Sequence, residues 1–599
     1  MIRSSLKAQI ESLKTSPADY LPLARKIESG EFKELRPLCV AFLASFTTDT
    51  LRPFAVVEAA RFSIEYKAFF GPYNHVEILA LDSASALYQI NPDVIVLALR
   101  LEDIAPSLCT RILGPKDVEK ELSKINERFR SLLVGIRKRT TASILVWNFA
   151  ETSYSPGGLG DVTLETPITN VIQRANDELI RLCHQFSGIY IFDLHRLAYE
   201  VGSERWNDPK LFFYSRVPYS LEAQRHIARR LSRYLQAIFF PPRKCLVLDL
   251  DNTLWGGVIG EDGMGGILLG EDYPGNVYKD FQRHVLGLRD RGVLLAIASK
   301  NNFTDAMEVF ERHPDCLLKL EHFASIQISW QDKAISLRLI AREINLGTAA
   351  LVFFDDSPTE REWIRSELPE VLVIDVPDHV LKYASSLYDS GAFDYLEITE
   401  EDRQRAEIYR QDKARNELQL SCQSGEDFLR DLQMTATCGF VDAITLPRIV
   451  QLLARTNQFN LTTRRHSAAQ ILRMIESGAV VIWMRLSDRF GDNGLIGVTI
   501  ALQSTNSDWI IDSLLLSCRV IGRQAEKVLL AELCRIVRQR GGKTLIGEYI
   551  PTPKNMPAAR TYADCDFTSQ DESGYRWRWD LECGNIRCPE FFKIDFKRS

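Results

Sequence analysis

The stretch CLVLDLDNTLWGG, Cys245 to Gly257, places two carboxylates, Asp249 and Asp251, two positions apart at the end of an apolar run. Residues two apart on a strand share a face. A strand that persisted through both acids would project them together from its carboxyl end, where open α/β sheets form their ligand crevice. Two more apolar runs end in reactive groups: Ser299 and Lys300 close GVLLAIAS, and Asp355 and Asp356 close ALVFFDD. Lys333 begins the amphipathic stretch KAISLRLIAREI, placed to neutralise a phosphate. Four crowded carboxylates raise one another's pKa values unless a cation sits among them. All-oxygen donors favour a hard ion, with Mg²⁺ the default. A nucleophile, a metal and an ammonium clamp suit phosphoryl transfer. A lone D-x-D pair also caps strand-to-helix turns, and the concurrence of four elements in order is what favours chemistry.

These groups need parallel strands to hold them. Around them, CLVLDL, GVLLAIAS, ALVFFDD and VLVIDV (Val371 to Val376) read as buried strands with helices between. Upstream, LCVAFLASF, DVIVLAL, SILVWNFA and IYIFDLH predict another parallel α/β unit, closed by a helix and the breaker PPRK. Downstream, AVVIWMRLSDRFGDNGLIGVTIAL predicts a hairpin turning at its Gly/Asp/Asn residues, followed by strand, helix, strand, helix and strand. The expected fold class is α/β with three domains, two with parallel Rossmann-like sheets and one a mixed-sheet α+β domain. The boundaries fall at residues 1–240, 241–395, a charged linker 396–424, 425–582 and a C-terminal tail 583–599.

Composition narrows the function classes. The 599 residues are 45% hydrophobic and 25% charged, with a formal net charge of -6. That balance belongs to a globular protein and gives no electrostatic reason to expect nucleic acid or an anionic membrane as partner. Twelve scattered cysteines without a C-x-x-C pair predict reduced thiols in a cytoplasmic protein rather than a disulfide framework or a zinc site. No apolar run approaches the roughly 20 residues of a membrane helix, and the N-terminus lacks the apolar core of a secretory signal.

DLDNT resembles the D-x-D-x-T first motif of haloacid-dehalogenase-like phosphatases, with Ser299, Lys333 and FFDDSP at the places of the later motifs. The resemblance implies that Asp249 is the nucleophile and Asp251 the general acid/base. Ser299 and Lys333 would bind the phosphoryl group. Mg²⁺ would lie between Asp249, Asp355, Asp356 and the main-chain carbonyl of Asp251.

In the third unit, RVIGRQ resembles the phosphate-binding loop of GNAT acetyltransferases, and NMPAARTYADCDF resembles a later helix of that fold. By this resemblance Arg519, Gly522, Arg523, Asn555 and Tyr562 are the cofactor-binding candidates. Gln524 and Asp566 stand where glycine is usual.

The order of units, with DNTLWGGV, FFDDSPTERE, TNQFNLTTRR and SCRVIGR, resembles the FkbH-like family of polyketide pathways over nearly the whole chain. The resemblance implies dephosphorylation of 1,3-bisphosphoglycerate and delivery of a glyceryl unit to the phosphopantetheine thiol of an acyl carrier protein. A protein cysteine could carry the acyl group. Cys518 is the candidate, expected at the mouth where the arm enters; Cys245, about 13 Å up the strand from Asp249, points to the wrong end. Buried cysteines are otherwise small hydrophobes.

The first unit weakly resembles SGNH hydrolases. Ser45 follows the first strand, but the G-D-S and D-x-x-H motifs are missing, so scaffolding, enclosure or carrier docking is expected rather than hydrolysis. Asp193 and His195 fit a loop or core pair. Arg464 and Arg465 read equally as phosphate ligands or a solvated helix end.

Overall fold

A computed structural model describes residues 16–397, 424–504, 507–571, 573–582 and 584–597, with Leu6, Gln9, Ile10, Ser12, Leu13, Arg415, Leu418 and Cys422. The linker expected at 396–424 lies almost wholly outside the described residues. The chain forms two compact units. One is Met1–Phe239 with Ser467–Gln470, and the other Phe240–His466 with Ile471–Ser599.

In the first unit, β1 (Arg36–Ala44), β2 (Ile64–Phe70), β3 (Val94–Ala98), β4 (Ser143–Trp147) and β5 (Ile189–Phe192) form one parallel sheet in the order β2-β1-β3-β4-β5. The helices Pro115–Arg137 and Ile168–Cys183 bury apolar stripes (Leu122, Phe129 and Leu133; Ile172 and Leu179) against Ile95, Leu97 and Val146.

The second unit holds two sheets. In the first, β6 (Cys245–Leu248), β7 (Leu294–Ser299), β8 (Phe323–Ile328), β9 (Leu351–Phe354) and β10 (Leu372–Val373) run parallel in the order β10-β9-β6-β7-β8. The central strand is apolar on both faces, as a covered parallel strand must be. Leu246 and Leu248 pack toward Phe281 and Val285, whereas Cys245 and Val247 pack toward Leu337 and Ile340 of the helix Lys333–Glu343.

The other sheet contains β11 (Met434–Phe440), β12 (Val480–Asp488), β13 (Gly491–Gln503), β14 (Asp508–Leu516), β15 (Thr544–Glu548), β16 (Thr568–Ser569), β17 (Arg576–Asp580) and β18 (Phe592–Lys597). Their order is β16-β17-β15-β14-β13-β12-β11-β18. Antiparallel pairs dominate, with parallel pairing at β14/β15 and β11/β18, giving the expected mixed sheet. The helix Ala525–Gln539 covers one face through Val528, Leu529 and Leu533.

Two expectations are corrected here. Residues 583–599 are not a separate tail, because β18 joins this sheet by pairing with β11 from Met434↔Phe592 to Gly439↔Lys597. The β12–β13 turn falls at Arg489 and Phe490 rather than at the Gly/Asp/Asn residues, which continue β13 through an irregular register. No helix among the described residues is long and apolar enough to cross a membrane.

Candidate active site

Parallel register brings the acids together. Leu248 pairs with Phe354, so Asp249 stands level with Asp355, and the Asp249 amide donates to the Phe354 carbonyl at 3.1 Å. Alternation places both carboxylates on the face covered by the helix Lys333–Glu343. Asp332 caps that helix by accepting from the Ala334 amide at 2.6 Å, which fixes Lys333 as its first residue.

The buried Lys333 Nζ lies 3.0 Å from Asp249 Oδ2 and 2.5 Å from Asp355 Oδ2. Ligand oxygens of Asp249, Asp355 and Asp356 gather within 4.8 Å of one another. Thr253 Oγ1 donates to Asp356 Oδ1 at 3.4 Å, and the Ser357 amide donates to Asp355 Oδ1 at 2.9 Å. Arg361 holds the turn by donating to the carbonyls of Asp355 (2.8 Å) and Asp356 (2.7 Å).

Charge and burial conflict at this point. Burial first, and the neighbouring Asp249 second, raise Asp356 to about 6 and push Asp355 up as well. Burial alone would lower Lys333, but Asp249 and Asp355 together hold it above the usual lysine range. Three carboxylates and one ammonium sum to -2, the charge a divalent cation cancels. Asp249 Oδ1 is buried without a hydrogen-bond partner. An acceptor-only oxygen left so is expensive unless a cation or an incoming electrophile meets it, so the donor set fits a hard divalent ion.

Asp251 does not join this cluster. The strand stops at Leu248, and the Thr253 and Leu254 amides close a helical turn on the Leu250 carbonyl. The expected strand alternation therefore fails one residue before Asp251. Its Oδ1 accepts from the Trp255 indole at 2.9 Å and the Ile259 amide at 3.1 Å, and its Oδ2 accepts from Asn301 at 2.9 Å. Ser299 is buried at the end of β7 beside the same Asn301, at 3.2 Å. Thr253, Asn301 and Arg361 were not singled out by sequence reasoning. Thr253 was legible as the fifth residue of DLDNT and Asn301 as a polar residue just past a strand end; Arg361 carried no signal.

The acyl-transfer candidates lie elsewhere. Cys518 is half-buried against the core formed by Leu337, Ile340 and Ile344, and its carbonyl accepts from Asn345 at 3.2 Å. Lys333 opens the helix whose far end precedes Asn345, and that helix is about 16 Å long at 1.5 Å per residue. The structure therefore does not bring Cys518 to the aspartates. Cys245 is sealed inside β6, where burial pushes its thiol up.

Beyond Cys518 opens a cleft of 710 Å³ lined by Arg415, Arg430, Arg519, Gly522, Arg523 and Gln524, among others. Arg415 and Arg523 also bind the buried Asp488, at 2.7 and 3.2 Å. Gln524 (φ 59°) and Asp566 (φ 62°) both adopt the left-handed backbone, so the two positions where glycine is usual keep the glycine conformation.

Asn555 and Tyr562 do not reach the cleft. The buried Asn555 amide donates to the Asn460 and Ile550 carbonyls, at 2.9 Å each, and Tyr562 is buried over Gly547. β14 and β15 pair only as far as Ile511↔Gly547. Beyond that point the edge of β14 is taken by Phe459–Leu461: the Leu461 amide donates to the Leu514 carbonyl at 3.1 Å, and Leu516 donates to Phe459 at 3.0 Å. Arg464 pairs with Asp512 and Glu548, and Arg465 donates to the Leu453 carbonyl, so protein groups already engage both arginines.

In the first unit, the Ser45 hydroxyl donates to Asp103 at 2.7 Å and accepts from the Arg100 amide at 3.0 Å. Asp193 caps the helix Leu194–Val201 and accepts from Asn148, while the His195 amide donates to the Asn148 side chain. No histidine faces Ser45 among these bonds.

A lysine-bridged carboxylate trio stands at the carboxyl ends of adjacent parallel strands, with a seryl hydroxyl on the next, the arrangement expected from the resemblance to haloacid-dehalogenase-like phosphatases. The N-terminal part of the protein BF1531 from Bacteroides fragilis, described as containing a phosphatase domain complexed with Mg, is 27% identical. The match covers 63% of this chain and 99% of that one, with a TM-score of 0.56. Upstream, residues 40–235 match the family model described as FkbH, N-terminal domain. Ard1 from Thermoplasma volcanium is 13% identical and overlaps 24% of this chain and 97% of its own (TM-score 0.19). The GNAT domain of S. lividans PAT is 16% identical and overlaps 24% and 89% (TM-score 0.20). No curated relative matches the chain.

Proposed function

We propose that this protein is a Mg²⁺-dependent enzyme that dephosphorylates 1,3-bisphosphoglycerate and delivers the glyceryl unit to the phosphopantetheine thiol of an acyl carrier protein. The observation that carries the phosphoryl half is the net charge of -2 at the Lys333-bridged carboxylates, with Asp249 Oδ1 left as an open acceptor. Asp249, Asp355 and Asp356 would hold the ion, which when bound supplies charge neutralisation for the phosphoryl oxygens.

Asp249 attacks the phosphorus of the C3 phosphate and becomes the aspartyl phosphate as the bond from that phosphorus to the C3 oxygen breaks; the C1 acyl phosphate is kept until a thiol attacks C1 and displaces its phosphate. Lys333, 3.0 Å from the attacking carboxylate, faces the transferred group, and the Ser299 hydroxyl donates to a phosphoryl oxygen. Asp251 gives a proton to the leaving group and then takes one from the water that hydrolyses the intermediate. For the acyl half, the arginine-lined cleft beside Arg519 and Gly522 supports a docking place for the phosphate of the carrier arm. The neighbouring Cys518 is the acyl-carrying candidate.

The test is intact-mass measurement of carrier protein incubated with labelled 1,3-bisphosphoglycerate, Mg²⁺ and enzyme. A gain of one glyceryl unit is expected with wild type, reduced at least about a thousandfold in rate by Asp249→Asn. Loading by Asp249→Asn at the wild-type rate would sink the scheme. Metal-dependent phosphate release without loading would restrict it to a phosphatase of another substrate.

A further inference from the structure

The geometry points to Asn301 as a positioning residue that sets the acid/base Asp251 and the phosphoryl-binding Ser299 together; this rests on the phosphoryl-transfer reading of the same site. Asn301 is buried two residues past the end of β7. Its Nδ2 donates to Asp251 Oδ2 at 2.9 Å and to Ser299 Oγ at 3.2 Å. An amide nitrogen carries two hydrogens, so it makes both bonds at once. Its orientation follows from its neighbour: in its role as base Asp251 is a carboxylate that only accepts, and a flipped amide would then set oxygen against oxygen.

The bond to Ser299 settles the polarity of that hydroxyl. A hydroxyl has one hydrogen and two acceptor positions. With Asn301 filling an acceptor position, the Ser299 hydrogen is left for a phosphoryl oxygen. The bond to Asp251 completes a grip from two sides, since its other oxygen accepts from the Trp255 indole at 2.9 Å and the Ile259 amide at 3.1 Å. Trp255 is itself immobilised, fully buried and edge-on to Phe310 with ring centroids 5.7 Å apart. One amide therefore fixes the relative placement of the proton-transfer group and the phosphoryl-binding group, without touching the nucleophile in any described bond.

The experiment compares Asn301→Leu, nearly isosteric but without polar atoms, with Asn301→Ala, each in three backgrounds: wild type, Ser299→Ala and Asp251→Asn. Turnover of p-nitrophenyl phosphate with Mg²⁺ is measured, and thermal melts identify which variant keeps the fold. In the wild-type background kcat is expected to fall about 10- to 100-fold with little change in KM, as for other groups that orient a catalytic side chain. In each partner-deleted background the further loss is expected to shrink at least threefold, roughly the signature of coupled residues. Unchanged kcat in a folded variant overturns the assignment, as does the same fold-loss in all three backgrounds. Absence of metal-dependent turnover in wild type itself would instead refute the phosphoryl-transfer reading.

Discussion

Replacing Lys333 by methionine tests the charge balance on which the site depends. The ammonium sits 3.0 Å from Asp249 and 2.5 Å from Asp355 with almost no exposure to solvent. Removing one partner of a buried ion pair costs about 3–5 kcal/mol when the other stays charged. Here the carboxylates have an escape through protonation. Asp356 already holds its proton up to about 6, by burial first and by Asp249 second, and Asp355 is displaced in the same direction. An acid whose folded pKa is raised binds protons more tightly folded than unfolded. The folded state is thus unpenalised below the unfolded pKa of roughly 4 and loses stability as pH rises through the folded value. For Asp356 that span is about two pH units, or ~3 kcal/mol at 1.36 kcal/mol per unit, reduced to ~1–2 by its partial exposure. Lys333→Met removes the opposing charge and extends the loss upward. Urea melts at pH 5 and pH 8 are the assay. The gap to wild type is expected to be about 1 kcal/mol at pH 5 and ~3–4 at pH 8, and to narrow on adding Mg²⁺ while turnover stays lost. A gap of equal size at both pH values, or one indifferent to Mg²⁺, would refute the reasoning.

Other outcomes follow from the same geometry. Metal-free wild type is expected to lose stability from about pH 4 to pH 6, the window set by Asp356, and to regain it with Mg²⁺, as read by thermal melts at fixed ionic strength. Cys518→Ala should leave aryl phosphate turnover unchanged, because Cys518 lies at the far end of the helix from Lys333; intact-mass analysis then reports whether the acyl adduct on the protein disappears. Gly547→Ala places a Cβ 2.4 Å from the Tyr562 ring, an overpacking that should lower unfolding free energy by about 1–3 kcal/mol or more. Gln524→Gly relieves a left-handed backbone and should raise stability by ~0.5–1 kcal/mol, checked by urea titration.

What the sequence made legible was decided by burial. Covered parallel strands such as β6, β7 and β9 read as unbroken apolar runs, so the groups at their ends could be found. Of the strands that escaped notice, β2 and β8 are sheet edges with half-exposed residues, where the apolar signal is diluted, whereas β11 lies inside its sheet but interleaves threonine and glycine with its apolar residues. The same dilution hid β18, another edge, inside what read as a tail. Within the site, Asp249 and Asp355 follow from strand register, and Lys333 from the helix start that Asp332 caps. Asp251 was mis-aimed because alternation was carried past Asp249, where the chain turns at Leu250. Of its holders, Trp255 lies four residues along the same turn and Asn301 just past the end of β7, but their aim at Asp251 is set by packing that no local pattern encodes. Asn555 and Tyr562 had a motif's spacing but are consumed by the interior of the sheet.

The segment Phe459–Leu461 has a consequence for solubility. Past Ile511, β14 would present the backbone of Leu514, Leu515 and Leu516 as an open, apolar sheet edge, the kind of surface that recruits strands from other molecules. Hydrogen bonds from Phe459 and Leu461 occupy that edge. A chain shortened or loosened between Thr456 and Thr463 would therefore be lost to self-association before any effect on catalysis could be read.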